Sequence, residues 1–266
     1  MTEQRRVAIT GAGSGFGQAL AIRYARTGAR VACIDLSLER AETTRAMLAG
    51  SGHLALAANV ASDEAMGQMH ENIVRQWHGV DVLVNNAGIA TGGRMVDTTM
   101  AEWHNVIEVN LLGVVRGCRL FLPGMVAAGH GQVINTASFA GLAGAPNIMS
   151  YGVTKAAVVA LSEQLRAEVQ DKGIGVSVVC PSFFRTNLLE SWQGNDRMKA
   201  YADKMMANSP DTLDSVADAA FAAAERGQFL ILPTHKSPML WRLKRWLPDF
   251  YFRNMLKVAN RATKGA

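Results

Sequence analysis

A doubly wound α/β domain with a parallel sheet is what this 266-residue sequence predicts, on three observations. Short β-branched runs alternate with helix-length stretches, a glycine-rich turn joins the first run to the first helix, and no linker or internal repeat breaks the alternation. Strands are expected at residues 7–10, 30–35, 53–57, 80–85, 132–136, 175–180 and 229–233, which makes a seven-stranded sheet. Helices are expected at 17–27, 64–76, 103–124, 150–172 and 214–226, with Gly28 stopping the first. Residues 1–234 form this domain, and 235–266 form an amphipathic helical tail.

Composition narrows the class. With 49% hydrophobic and 18% charged residues the chain is neither disordered nor fibrous. Cys33, Cys118 and Cys180 are too few and scattered for a disulfide framework, and read as reduced core thiols of a cytoplasmic protein. Residues 1–6 lead into the first strand without the apolar core of a signal peptide. The uncharged stretch 120–154 is broken by Pro123, residues 129–132, Asn135 and Pro146, so it is not expected to span a membrane. The histidines show no metal-ligand spacing, and no metal is expected. Basicity is local: residues 235–266 hold eight Lys and Arg against Asp249, and the first 234 hold 19 basic and 21 acidic residues. Without a recognised binding motif, that tail does not point to nucleic acid.

The first turn reads Thr10-Gly11-Ala12-Gly13-Ser14-Gly15-Phe16-Gly17. Glycines there let backbone N–H groups approach a pyrophosphate, and the helix N-terminus favours its charge. The spacing G-x-G-x-x-G is not met, because its last position is Phe16; T-G-x-x-x-G-x-G is met. Asp35 closes the second strand where a ribose 2′-hydroxyl would be held, and would repel a 2′-phosphate. Leu36 and Ser37 add no adjacent cation, so NAD is favoured, while Arg40 nearby leaves NADP open. Asp35 as a plain helix cap is the bland alternative.

Further along stand Asn86-Ala87-Gly88, Asn110, Ser138, and Tyr151 with Lys155 four residues on. A lone Tyr–Lys pair is usually a solvated helix face, and a lone Ser a turn residue. In this order behind the phosphate turn they make a strong conjunction. Over roughly residues 5–235 the sequence resembles the short-chain dehydrogenase/reductase family, whose Rossmann-type fold binds NAD(P). The resemblance implies a catalytic tetrad of Asn110, Ser138, Tyr151 and Lys155, with Asn110 holding a water of the proton relay. A free tyrosine is a poor base near neutrality, but an ammonium one helical turn away favours the phenolate. Ser138 would donate to the substrate oxygen, and Lys155 would hold the nicotinamide ribose. The family pattern also extends the cofactor contacts to Asn59, Val60, Pro181 and Thr186. Asn59 stands where an aspartate is usual, and Ser182 follows Pro181 in place of the usual glycine.

Phe139, Met149, Phe183, Phe184 and Trp192 lie in the segments that set specificity in the family, and suit a lipophilic alcohol or ketone such as a steroid, retinoid, long-chain or aromatic alcohol. Two other functions stay open: an NADPH-dependent carbonyl or 3-oxoacyl reductase, and a non-catalytic NAD(P)-binding regulator. The family further implies a homodimer or homotetramer through residues 103–124 and 150–172. In the tail, Leu240, Leu243, Leu247, Tyr251, Met255 and Val258 share one helical face and Arg242, Arg245, Arg253 and Lys257 the other. Pro248-Asp249 is expected to divide it into two short helices, with Asp249 able to cap the second. Such a segment packs on its own domain or on a neighbouring subunit, or lies on a membrane surface, and in either case is expected to roof the substrate pocket.

Overall fold

The computed structural model describes residues 4–264; residues 1–3 and 265–266 of the N-terminal and tail readings lie outside the described residues, as do the side chains of Val258, Arg261 and Lys264. In chain order the elements are β1 (Arg6–Thr10), α1 (Gly15–Arg26), β2 (Arg30–Asp35), α2 (Leu38–Ala46), β3 (Leu54–Ala57), α3 (Asp63–Trp77), β4 (Val82–Asn85) and β5 (Thr91–Gly92). Then follow α4 (Met100–Ile107), α5 (Gly113–Ala128), β6 (Gly131–Thr136), α6 (Ala140–Ala143), α7 (Met149–Val169) and β7 (Ile174–Val179). The last are β8 (Gln193–Gly194), α8 (Asp196–Ala207), α9 (Leu213–Glu225), β9 (Leu230–Ile231), α10 (Ser237–Trp246) and α11 (Pro248–Lys264).

Seven strands form one parallel sheet in the order β3-β2-β1-β4-β6-β7-β9. Alternation along each strand explains the two layers. Val7 and Ile9 of β1 point into a core with Leu20, Tyr24 and Ala220, while Ala8 between them points into a second core with Met66, Phe121 and Val158. Helices α1 and α9 cover one face, and α3, α5 and α7 the other. The strand order reverses between β1 and β4, which opens a crevice at their carboxyl ends.

Several elements differ from the sequence expectation. Helix α2 was not foreseen; it is polar nearly all round, buries only Ala41 and Thr44, and starts on a Ser37 cap that accepts from the Arg40 N–H. The stretch expected at 103–124 runs as α4, a wide π-turn over Glu108–Leu112, and α5. A separate two-strand pair, β5 with β8, is too short for any periodicity to reveal. In the tail, Leu247 breaks the two helices and Pro248 opens the second, so Asp249 sits in the first turn of α11 and not at its cap. Leu247 itself is exposed, although the helical wheel put it on the packed face. The three cysteines are buried and free.

Candidate active site

The crevice continues into a cavity of about 870 Å³ whose walls come from the loops after every central strand. At the β1 end the phosphate turn is held from both sides. Gly11 and Gly15 adopt φ of +64° and +52°, a region open to glycine without strain. The Gly13 N–H donates to Asp35 Oδ2 at 2.9 Å, and a Cβ on Gly13 would stand 2.6 Å from Arg40 Cβ and 2.7 Å from that oxygen. Thr44 Oγ1 donates to the Ala12 carbonyl at 2.8 Å, so the unforeseen α2 supports the turn. From β4, the backbone N–H groups of Asn86 and Ala87 donate to Thr10 Oγ1, and Asn86 Nδ2 donates to the Thr10 and Gly11 carbonyls. This cradle, from which side chains are excluded by contact and not merely by composition, fits a pyrophosphate at the start of α1.

Around the far end lie Asp35, Leu36, Asn59 and Val60. Asp35 is buried; its Oδ1 accepts from the Ser37 N–H at 3.1 Å and faces Arg40 Nε at 3.6 Å. Arg40 also reaches Glu190 at 3.7 Å, so the nearby cation carries two acidic partners. Asn59 Oδ1 accepts from the Ala61 N–H at 2.9 Å and keeps a second lone pair for an adenine amino group.

Ser138, Tyr151 and Lys155 meet on the inner wall. Tyr151 and Lys155 are one turn apart on α7, and Lys155 Nζ lies 5.9 Å from the Tyr151 ring centroid. Lys155 is 4% exposed; Nζ donates to the Thr136 carbonyl at 2.9 Å, and burial pushes its pKa down to about 8. Burial likewise pushes the Tyr151 phenol up, and a hydrogen bond with Ser138 pulls the other way. Ser138 Oγ is oriented by accepting from the Ala140 N–H at 3.1 Å and by the Pro181 carbonyl at 3.4 Å.

Asn110 lies behind this wall, fully buried at the centre of the π-turn. Its Oδ1 accepts from the Ile89 N–H at 2.8 Å and its Nδ2 donates to the Ile89 carbonyl at 2.9 Å and to Thr154 Oγ1 at 3.4 Å. The side chain thus pins the loop after β4 against α7. Gly88 passes through the gap, where a Cβ would come 3.1 Å from Asn110 Oδ1 and 3.3 Å from Lys155 Nζ.

Ala87, Gly88, Phe16, Pro181 and Thr186 border the cavity as expected, whereas Gly13 and Gly17 sit beneath its floor. Of the expected substrate residues, Phe139, Phe183, Phe184 and Trp192 line it and Met149 does not. Phe184 is also packed edge-on against Phe16, with ring centroids 6.0 Å apart. Sequence reasoning missed Arg94, Tyr201 and Met206 in the wall; the tail, expected to roof the pocket, reaches it through Met255 and Ala259 of α11, of which Ala259 was not singled out. The i, i+4 spacing of that pair was the available signal.

The geometry agrees with the sequence comparison: the family model described as short chain dehydrogenase matches residues 5–197. This chain belongs to the short-chain dehydrogenase family. Among its relatives, "Probable oxidoreductase EphD" of Mycobacterium tuberculosis is 34% identical over 256 residues, which cover 91% of this chain and 43% of that one. The chain thus spans less than half the length of that relative. The meso-2,3-butanediol dehydrogenase of Serratia marcescens is 29% identical over 86% of this chain and 90% of its own. Among short-chain dehydrogenase structures, that from Burkholderia phymatum in complex with NAD superposes with a TM-score of 0.84 at 27% identity, over 91% of this chain and 93% of its own. The one from Sphingobium yanoikuyae in complex with NADPH gives 0.77 at 27% identity, over 96% and 95%. The family binds NAD(P) and its named members are dehydrogenases and oxidoreductases.

Proposed function

We propose that the chain is an NAD(P)-dependent oxidoreductase that interconverts a lipophilic secondary alcohol and its ketone, or an alcohol and aldehyde. The observation that carries this reading is the convergence of Ser138, Tyr151 and Lys155 on one wall of a cavity whose outer part is lined by Phe139, Phe183, Leu188, Trp192 and Met255. Bound nicotinamide supplies the hydride acceptor or donor. Tyr151 moves the hydroxyl proton, Ser138 holds the substrate oxygen, and Asn110 keeps the loop after β4 in register with both. The Lys155 ammonium spends one donor on Thr136 and keeps two for the nicotinamide ribose and for the phenolate as it forms. Apolar walls exclude water and take up the hydrocarbon part of the substrate.

The buried Asp35 supports NAD over NADP, because a 2′-phosphate would bring its charge against a carboxylate that already caps the phosphate turn. Subunit association through residues 150–172, one of the two segments expected at a homodimer or homotetramer contact, is supported by the exposed Val153 on α7. The test is reduction of NAD and NADP by a series of secondary alcohols of rising hydrocarbon size, with dinucleotide Kd values measured alongside. Expected are NADH binding tighter than NADPH, a kcat/KM that rises with hydrocarbon size, and a swing of about tenfold or more toward NADPH in Asp35→Ser, where the repelling carboxylate is gone and Arg40 keeps only Glu190 as an acidic partner. A preference for small polyols, or tighter NADPH binding in the wild type, would overturn the corresponding half of the proposal.

A further inference from the structure

Helices α10 and α11 pack inward with one face each. Lys244 Nζ donates to the Leu142 carbonyl of α6, Tyr251 is buried, and Met255 and Ala259 enter the cavity wall. Their outward faces interleave apolar side chains with cations. On α10, Met239, Arg242 and Trp246 recur at i, i+3 and i+7 and are all exposed, Met239 to 61% and Trp246 to 79%. On α11, Phe250, Arg253 and Lys257 repeat that spacing, with Phe250 50% exposed and Phe252 53% exposed on the other side of Arg253. Exposed Leu247 and Pro248 join the two stripes, and Arg245 adds a further exposed cation stacked 5.5 Å from the Trp241 ring centroid. One acid, Asp249, stands among these cations.

We infer that this corner is a membrane-docking surface, and that its partner is the headgroup and upper acyl region of an anionic lipid bilayer. Aromatic and aliphatic side chains interleaved with arginines match that boundary, where rings sit at headgroup depth and guanidinium groups meet phosphates. A second copy of this chain is a poorer occupant, because a two-fold contact through the patch would set its cations against themselves. Docking has a consequence for the cavity. The helix whose outer stripe meets the bilayer is the one whose inner stripe carries Met255 and Ala259, so the lipid surface and the cavity lie about one helix diameter, roughly 10 Å, apart. A lipophilic substrate dissolved in the bilayer would then reach the cavity past α11 without crossing bulk water; this part alone rests on the function proposed above.

The experiment is co-sedimentation of the full chain with vesicles of phosphatidylcholine alone and of phosphatidylcholine with phosphatidylglycerol, at low and high salt. The variants are Trp246→Ser/Phe250→Ser and Arg242→Gln/Arg245→Gln/Arg253→Gln, neither of which touches the cavity. Expected are partitioning at least about tenfold stronger onto the anionic vesicles at low salt, weakening by a similar factor at high salt, and loss in both variants, with turnover of a water-soluble alcohol unchanged. Equal recovery with and without vesicles would overturn the inference. So would a wild-type dimer that dissociates in Trp246→Ser/Phe250→Ser by size-exclusion light scattering, since the patch would then be an interface between copies. Vesicle binding does not depend on turnover, so its failure and that of the proposed activity are distinguishable.

Discussion

Lys155 is a cation held where water is scarce, and its local cost is large. Lowering its pKa from 10.5 to about 8 corresponds to about 3 kcal/mol against the charged form in the folded chain. Below pH 8 the lysine is protonated in both folded and unfolded chains and the penalty is constant. Between 8 and 10.5 the folded chain has shed a proton the unfolded chain still holds, so stability rises with pH across that window. Lys155→Met removes the penalty and forfeits one hydrogen bond to Thr136. The unliganded variant should therefore be more stable at neutral pH by about 1–3 kcal/mol, with the gain shrinking towards pH 10 while turnover is lost. Thermal unfolding across that range checks it; a loss of stability at neutral pH, or a gain indifferent to pH, would contradict the burial argument. At this scale Ser138, Tyr151 and Lys155 were legible because their spacing and order survive in one dimension. The occupied amide of Asn110 and the pairing of Arg40 with Asp35 and Glu190 were not, because both are set by contacts between distant segments.

Short elements position the wall of the cavity. The pair β5–β8 ties the loop after β4 to the loop after β7, and Thr91 Oγ1 shares a 2.8 Å hydrogen bond with Ser150 Oγ at the start of α7. Trp192 closes over this junction so tightly that a Cβ on Gly92 would lie 2.5 Å from its Cζ2 and Cη2 and 2.8 Å from Met198 Cβ. Gly92→Ala must displace the indole, an overpacking cost of about 1–3 kcal/mol. Steady-state kinetics should show KM for a bulky alcohol raised about tenfold, with dinucleotide affinity within about twofold of wild type. An equal loss of both would mean that the junction supports the whole cleft and not the substrate side. Neither two-residue strand has a periodicity, and the π-turn around Asn110 uses the same residue types as the flanking helices, so sequence alone resolved one long helix there. Helix α2 was hidden for the opposite reason: with two buried residues it carries almost no hydrophobic signal.

Across the whole molecule the sheet carried the strongest message. Seven short apolar runs, most of them rich in β-branched residues, located the seven strands to within a few residues, and their parallel pairing follows from the intervening helices. The order reversal between β1 and β4 is what lets a turn at residue 11, a loop at 86–88 and a helix at 151–155 face one cavity. The same two-layer packing seals the thiols of Cys33, Cys118 and Cys180, whose pKa values burial pushes up to about 12. A thiol reagent should therefore find none of them in the native chain and three after denaturation; fast reaction in the native state would contradict that packing. The tail's two faces and its place over the pocket were legible, but a helical wheel does not say which residues, here Met255 and Ala259, reach the cavity. All of this architecture converges on one hydroxyl, and the most direct measurement is on Tyr151→Phe. The account predicts kcat lower by about 10²–10⁴-fold, with NADH affinity and the unfolding temperature close to wild type. Turnover at a rate comparable to wild type would contradict it, because some other group would then be moving the proton.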